Sequence, residues 1–553
     1  MAHPVTRPAE APLSPYGWWH GAVLYQVYPR SFLDSNGDGV GDLNGIIKGL
    51  DHIASLGVDG VWLSPFFTSP MNDFGYDIAD YCDVDPLFGT LDDFDRLVNK
   101  AHSLGLKVII DQVYSHTSDQ HAWFKESRSS RHNPKADWYV WADPKADGSP
   151  PSNWQSVFGG PSWEWDNHRG QYYLHNFLTS QPDLNVHNPA VQEALLNVAR
   201  FWLDRGVDGF RLDALNFAMH DPALRDNPPA GDTGKPKTRP FDFQAHTRSQ
   251  SHPDIPLFIE KISAVLKEYD GIFTVAEVGG PTPMAEMKAF TKGEKRLNSA
   301  YDFSFLYAET LTASAVRSAI ADWTQAPEDG WPSWAFSNHD APRAVSRWAG
   351  SGYRDQAARL HLMLLMCLRG NPFIFQGDEL GLPAANVPFD CLKDPEAIAN
   401  WPHTLGRDSS RTPIPWRNIE GGGFSPPLSQ QPWLPVDPDH LPLSIQSQNE
   451  DVDSLLAYTR SLIALRQQSP ALKWGDITCL ENANLSDDSS LLIFTRFFEG
   501  DRTVCVFNLD TENSENIAGL GLTGAVLEVV GLDGTAGIPS KLPPLSGFIL
   551  QQS

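Results

Sequence analysis

The stretch GVDGFRLDALNF, Gly206 to Phe217, places Asp208, Arg211 and Asp213 inside what otherwise reads as a buried strand. Buried charge is costly unless it is paired or put to use. Side chains alternate along a strand, so Asp208, Phe210 and Leu212 share one face while Arg211 and Asp213 share the other. In a barrel of parallel strands the working groups gather at the C-terminal strand ends. Asp213 stands at that end and Asp208 at the start. Asp213 is therefore the expected working carboxylate, with Arg211 close enough to keep it ionised, and Asp208 is expected to pair with a neighbouring helix or turn. A purely structural Arg211–Asp213 pair is the alternative. Against it, DQVYSH brings Asp111 and His116 to a second strand end, VAEVGG brings Glu277 to a third, and SNHD brings His339 and Asp340 to a fourth. Carboxylates and histidines that recur where strands meet loops form a site capable of acid–base work.

Those strand ends need a scaffold. The runs AVLYQVYP (22–29), VDGVWLSP (58–65), LKVIIDQV (106–113), VDGFRLDA (207–214), IFTVAEV (272–278), SWAFSNHD (333–340) and NPFIFQGDE (371–379) read as strands. Between them lie amphipathic stretches such as 92–105, 188–206 and 259–269. This alternation predicts an α/β fold with a parallel sheet. About eight strands, with no glycine-rich dinucleotide turn after the first, favour a closed (β/α)8 TIM barrel over an open sheet. A polar, Trp-rich insert follows strand three, and an irregular one follows the last strand; such long loops are usually lids or binding loops. The last 80 or so residues read as alternating strands and turns. The expected division is a barrel over 1–114 and 181–471, a loop-rich inserted domain over 115–180, an irregular insert over 383–423 and a C-terminal antiparallel β-sandwich over 472–553.

The formal charge of −26 over 553 residues argues against nucleic acid or anionic membranes as partners, since phosphate binding needs basic patches. Cys82, Cys367, Cys391, Cys479 and Cys505 are scattered with no CxxC pair, so neither a zinc site nor a disulfide framework is indicated. The N-terminal MAHPVTRPAEAPLSPYGWW has no apolar signal core, and LHLMLLMCL (360–368) is too short to span a bilayer. A cytoplasmic location is expected. Eighteen tryptophans lean toward a carbohydrate ligand, whose apolar faces suit aromatic rings.

DQVYSH, GFRLDALNF, VAEV and FSNHDAPR, in this order, resemble the four signature regions of the α-amylase family of glycoside hydrolases. QPDLN (181–185), DFGYDIADY (73–81) and GRDSSRTPIPW (406–416) are similar to its oligo-1,6-glucosidase and α-glucosidase branch. The resemblance implies Asp213 as nucleophile, Glu277 as general acid and then base, and Asp340 as the group that grips sugar hydroxyls at the transition state. A raised pKa for Glu277 is expected from its negative neighbours Asp213 and Asp340. It further implies Arg211, His116 and His339 as hydrogen-bond donors to the sugar and Tyr76 stacked on it. Asp73 and either Arg407 or Arg411, with Arg407 preferred, would close the pocket end, making the enzyme exo-acting. Phe158 and Phe177 are expected in the pocket wall.

In the implied branch, valine after the nucleophile accompanies α-1,6 preference and alanine or threonine α-1,4 preference; this chain has Ala214. The resulting expectation is a retaining exo-α-glucosidase acting on short α-1,4-linked, maltose-like or sucrose-like substrates, with glucosyl transfer as a side reaction. The alternatives are an oligo-1,6-glucosidase, or a transglucosidase or isomerase such as a trehalose synthase or sucrose isomerase. From another class, a catalytically dead, transporter-associated homologue would need a membrane anchor and would not need all three carboxylates. The stretch DSNGDGVGD (34–42) offers oxygen ligands at Asp34, Asn36, Asp38, the Val40 carbonyl and Asp42, resembling the start of a calcium loop. Gly45 at the twelfth position rules out an EF-hand. A structural Ca2+ or Mg2+ is expected there, the alternative being a metal-free turn, and no organic cofactor. Ser115, where many family members have asparagine, argues against a second calcium site at the barrel–insert junction.

Overall fold

The computed structural model describes residues 16–232, 237–324, 330–350, 354–401, 406–427, 429–480, 489–532 and 537–552. Most of the N-terminal stretch read above for a signal lies outside them. Eight parallel strands close a barrel in chain order: β1 (Leu24–Val27), β2 (Gly60–Leu63), β3 (Lys107–Val113), β4 (Gly209–Asp213), β5 (Phe273–Glu277), β6 (Ser299–Asp302), β7 (Trp331–Ala335) and β8 (Asn371–Phe375), with β8 pairing back onto β1. The apolar runs are buried on both faces, as parallel strands covered by helices require. Leu24, Trp62, Ile109, Phe273, Val275, Tyr301 and Phe373 fill the barrel's interior beneath the rim. Gly209 opens β4 because a Cβ there would lie 2.4 Å from the Phe273 carbonyl oxygen of β5.

The outer helices follow their sequence signals. Asp42 caps α1 (Leu43–Ser55) through the Gly45 amide, and Thr90 and Asp93 form a capping box on α2 (Leu91–Ser103). Asn188 caps α3 (Pro189–Leu203), with proline at its first position, and α4 (Ile255–Leu266) begins after Asp254. None of the described helices is long and apolar enough to cross a membrane.

Three regions differ from expectation. The sixth strand, SAYD, escaped recognition because it is short and holds no β-branched residue. β7 ends at Ala335, so His339 and Asp340 stand on the loop beyond it. The inserted domain is more regular than its composition suggests. It carries a helix (Ala122–Ser129) and a three-stranded sheet over a core of Val140, Trp154, Trp163 and Leu174. Trp154 and Trp163 build that core, while Trp123, Trp138 and Trp141 pack against the main hydrophobic cluster and Trp165 is exposed. The insert after β8 holds short helices at Pro395–Asn400 and Asp408–Arg411. At the C-terminus a five-stranded antiparallel sheet packs, through Leu491, Val506 and Phe548, on a two-stranded piece that supplies Leu542.

Candidate active site

One guanidinium organises the rim of the barrel. Arg211, on β4, is buried and lies over the Trp62 ring at 5.1 Å. Its Nη1 donates to Asp111 Oδ1 at 2.7 Å and to Asp213 Oδ1 at 2.5 Å, and its Nη2 donates to Glu277 Oε2. Trp62 Nε1 supports Asp111 Oδ2 at 3.0 Å. Three carboxylates thus face a single cation. Arg211 itself stays charged, because Asp111, Tyr76 and Asp213 overcome the cost of its burial.

Arg211 was expected to keep Asp213 ionised, and here the balance falls the other way. Burial pushes the Asp213 carboxyl up to about 7 against the pull of Arg211, with Asp111 and Asp340 adding to the rise. Asp111 is pushed to about 6 by the same burial. Three carboxylates on one guanidinium carry a net negative charge when all are ionised, so the set retains a proton near neutrality.

Asp340 lies in the opposite regime. Burial would raise its pKa, but His339, Arg411 and Arg407 hold it well below the usual carboxylate range. Arg411 Nη2 reaches Asp340 Oδ1 at 2.7 Å, Arg407 Nη1 reaches it at 3.4 Å, and His339 Nε2 lies 3.1 Å from Oδ2. The His339 ring is fixed by Gln26 Nε2 at Nδ1, 2.8 Å, and by the Tyr76 hydroxyl at Nε2, 2.6 Å. Burial pushes His339 down to about 3 and His116 to about 4, so both rings are neutral. Tyr76 lines the pocket with its ring stacked on His339 at 5.6 Å.

Part of the pocket wall joins two distant loops. Asp77 accepts the amides of Asn72 and Asp73 and holds the turn that presents Asp73. Arg407 Nη2 donates to Asp73 Oδ1 at 3.0 Å, while Gln181 Nε2 donates to Asp73 Oδ2 at 3.1 Å and lies 3.2 Å from His116 Nε2. Arg407, rather than Arg411, is thus the arginine paired with Asp73. Arg411 turns inward to the His339 carbonyl and Asp340. The partner that sequence reading missed is Asp394: fully buried, it accepts both the Arg407 amide (2.7 Å) and its Nη2 (2.8 Å).

Asp73, Tyr76, His116, Asp213, Glu277, Asp340 and Arg407 line a cavity of about 330 Å³, whereas Arg211 and His339, expected to donate to a sugar, are buried behind these lining residues. The inserted domain supplies Phe158 and Phe177, whose rings meet at 5.9 Å, and Phe177 also touches His116 at 5.0 Å and Phe217 at 5.1 Å. Ala214 lines the wall directly after Asp213 in a left-handed conformation (φ 39°, ψ 43°), where a β-branched side chain is strained. Two more lining residues had gone unremarked. Arg239, from the excursion after β4, reaches Glu396, from the insert after β8, at 3.1 Å, and also donates to the Val157 carbonyl at 2.8 Å. No local pattern marks either residue, because only the closed barrel brings their loops together.

The loop 34–42 lies away from the pocket residues. Asp34 accepts the amides of Asn36, Gly37 and Gly39, Asp38 accepts that of Val40, and Asp42 accepts those of Ser35 and Gly45. Asn36 Nδ2 donates to Asp38 Oδ2 at 3.1 Å. Among the described residues no cationic side chain bonds these carboxylates. An all-oxygen set with uncompensated negative charge fits a hard cation.

The family model of the α-amylase catalytic domain matches residues 26–475. A probable alpha-glucosidase of Rhizobium meliloti (strain 1021) is 51% identical over 502 residues, 90% of each chain. The oligo-1,6-glucosidase of Parageobacillus thermoglucosidasius is 36% identical over 524 residues, 89% of this chain and 90% of its own. Among solved structures, an alpha-glucosyl transfer enzyme, XgtA, superposes with a TM-score of 0.90 at 46% identity, covering 97% of this chain and 100% of its own. An isomaltulose synthase of Erwinia rhapontici NX5, solved with its natural substrate sucrose, gives 0.87 at 33% identity over 97% of this chain and 99% of its own. With relatives of this identity along nine-tenths of its length and a barrel that superposes on theirs, the chain belongs to the α-amylase family of glycoside hydrolases, family 13.

Proposed function

We propose that the protein is a retaining, exo-acting α-glucosidase. It removes terminal non-reducing α-1,4-linked glucose from short oligosaccharides and glucosides, with transfer of glucose to a second sugar or alcohol as a side reaction. The observation that carries this reading is the Asp73–Arg407 pair in the cavity wall, which would close one end and offer charged hydrogen bonds to the hydroxyls of a chain-terminal sugar. A closed end fits one terminal unit and excludes a polymer passing through.

In this reading Asp213 attacks the anomeric carbon while Glu277 gives its proton to the departing oxygen. Water, deprotonated by Glu277, then breaks the glucosyl–Asp213 ester. Gripped by adjacent nitrogens of one guanidinium, the two carboxylates suit the ~5 Å spacing of retaining enzymes better than the wider gap of inverting ones. This reading requires Glu277 to be protonated while Asp213 is ionised at the first step. Asp340, held ionised by two arginines and His339, would meet the sugar hydroxyls beside the developing positive charge. His116 and Tyr76 would complete the sugar's cradle.

Calcium or magnesium in the 34–42 loop would brace the start of α1, through Asp34, Asn36, Asp38, the Val40 carbonyl and Asp42. Five free cysteines suit a reducing, cytoplasmic setting. The likeness to an alpha-glucosyl transfer enzyme and to an isomaltulose synthase favours transfer or isomerisation as the second reading. Ala214 supports α-1,4 over α-1,6 cleavage, because its small side chain leaves room beside the leaving sugar.

Product chromatography over maltose, isomaltose, trehalose and sucrose tests the proposal. Free glucose as the main product from maltose, with isomaltose cleaved at least about tenfold more slowly, is the expected result. An isomeric disaccharide as the main product overturns hydrolysis in favour of isomerisation, and faster cleavage of isomaltose overturns the linkage assignment.

A further inference from the structure

Away from the sugar pocket, His187, His252 and Asp254 each bring a ligand atom within 4.8 Å of the others. His187 precedes the Asn188 cap of α3, and Asp254 precedes α4, so the group sits where two outer helices begin, on the same rim as the pocket. Lys261 Nζ ties the two helices together at Gln192 Oε1, 2.6 Å.

The hydrogen bonds orient both rings. His187 Nε2 lies 2.7 Å from the His220 carbonyl. A carbonyl only accepts, so Nε2 is the donor and Nδ1 is the nitrogen left for a metal. Metal-binding histidines are commonly oriented by such a bond from the other nitrogen. His252 Nδ1 accepts the Asp254 amide at 3.2 Å, a contact that an ion at this nitrogen would displace, and it lies 3.7 Å from Asp254 Oδ2. The two rings meet at 90° with centroids 4.8 Å apart. Asp254 occupies the cap position of α4, yet its side chain makes no capping bond. Two imidazoles and a carboxylate not engaged in capping are the ligand types a tetrahedral zinc-class ion takes, with water in the remaining position. The positive ends of two helices oppose a cation here, and the Asp254 charge offsets them.

We infer that His187, His252 and Asp254 form a binding site for a borderline divalent cation of the zinc class, distinct from the oxygen-only loop at 34–42. Its occupancy ties the start of α3 to the start of α4. It also steadies the residues just before His252, which hold the pocket wall: Ser251 donates its amide to the Asn216 carbonyl at 2.7 Å, and Gln250 Oε1 accepts from Asn216 Nδ2 at 2.5 Å. Asn216 lines the cavity.

Zinc chloride titrated by calorimetry into chelator-treated full-length protein, with calcium present throughout to occupy the oxygen loop, tests this. One Zn2+ per chain is expected to bind. Affinity should fall at least about tenfold in His252→Ala and in Asp254→Asn, as for loss of a metal-site residue, and stay unchanged in Asp38→Ala. The wild-type melting temperature should rise with zinc concentration, whereas that of His252→Ala should not. Asp254 is exposed and His252 partly so, and melting without zinc checks that both variants fold. The site is overturned if zinc does not bind, if it binds equally to all variants, or if Asp38→Ala is the substitution that abolishes binding.

Discussion

At the base of β4, the Asp208 carboxylate takes Lys107 Nζ at 2.8 Å, His102 Nε2 at 2.7 Å and the Val108 amide at 2.9 Å. At the rim end of the same strand, Asp213 shares one arginine with Asp111 and Glu277. The base therefore offers three donors to one carboxylate, while the rim offers one guanidinium to three. A surplus of donors leaves Asp208 fully satisfied, and such a group serves only to hold elements together. A deficit leaves buried carboxyls with raised pKa values, which weakens the local structure but keeps a proton and a nucleophile within reach of a ligand. The difference teaches how to separate a structural aspartate from a working one: the ratio of charges and donors around it decides, since both are flanked by cations.

The comparison breaks most visibly at Arg211. Asp213 must be ionised to attack, and its pKa in the folded protein is raised to about 7. Wild-type kcat/KM should therefore fall as pH drops through that value. In Arg211→Lys a point charge cannot bridge three carboxylates. Its kcat/KM should drop by about 10²-fold, and its acid limb should move to higher pH. A pH–rate profile with the limb unmoved would detach Arg211 from the ionisation of Asp213. The smaller effect belongs to the base. Asp208→Asn should cost about 1–3 kcal/mol of stability in denaturant unfolding, because Lys107 and His102 lose their acceptor charge. Its kcat/KM should stay within about twofold of wild type, as expected of a substitution away from the chemistry. A large activity loss at unchanged stability would erase the distinction between the two ends.

Much of this site was legible because the residues proposed to do the chemistry sit in short local stretches. Asp213 and Glu277 end strand runs and Asp340 lies just beyond one, and strand alternation alone separates Asp208 from Asp213. The Asp73–Arg407 pair was foreseeable in kind, but only the fold could choose between Arg407 and Arg411. The choice depends on which side chain turns toward Asp394 and which toward the His339 carbonyl. Asp394, Arg239 and Glu396 stayed hidden because they lie in excursions without periodic pattern, Asp394 and Glu396 at the start of a single short helix. Their partners are fixed by closure of the barrel. The strand Ser299–Asp302 was missed for the opposite reason: its place is imposed by its neighbours β5 and β7, and its own residues have little strand preference. The proton balance could not be read from sequence either. Arg211 beside Asp213 predicts a low pKa, and burial at the rim, with Asp111 and Asp340 adding to it, reverses that.

The central claim, that the rim aspartate of β4 does the chemistry, is tested most directly by trapping. The protein would be incubated with a fluorinated glucosyl fluoride, which forms the covalent intermediate faster than water releases it. Peptide digestion and mass spectrometry would then locate the label. One glucosyl group per chain, esterified to Asp213, is the predicted result. A label on Glu277, or continued turnover with no carboxylate labelled, would contradict it.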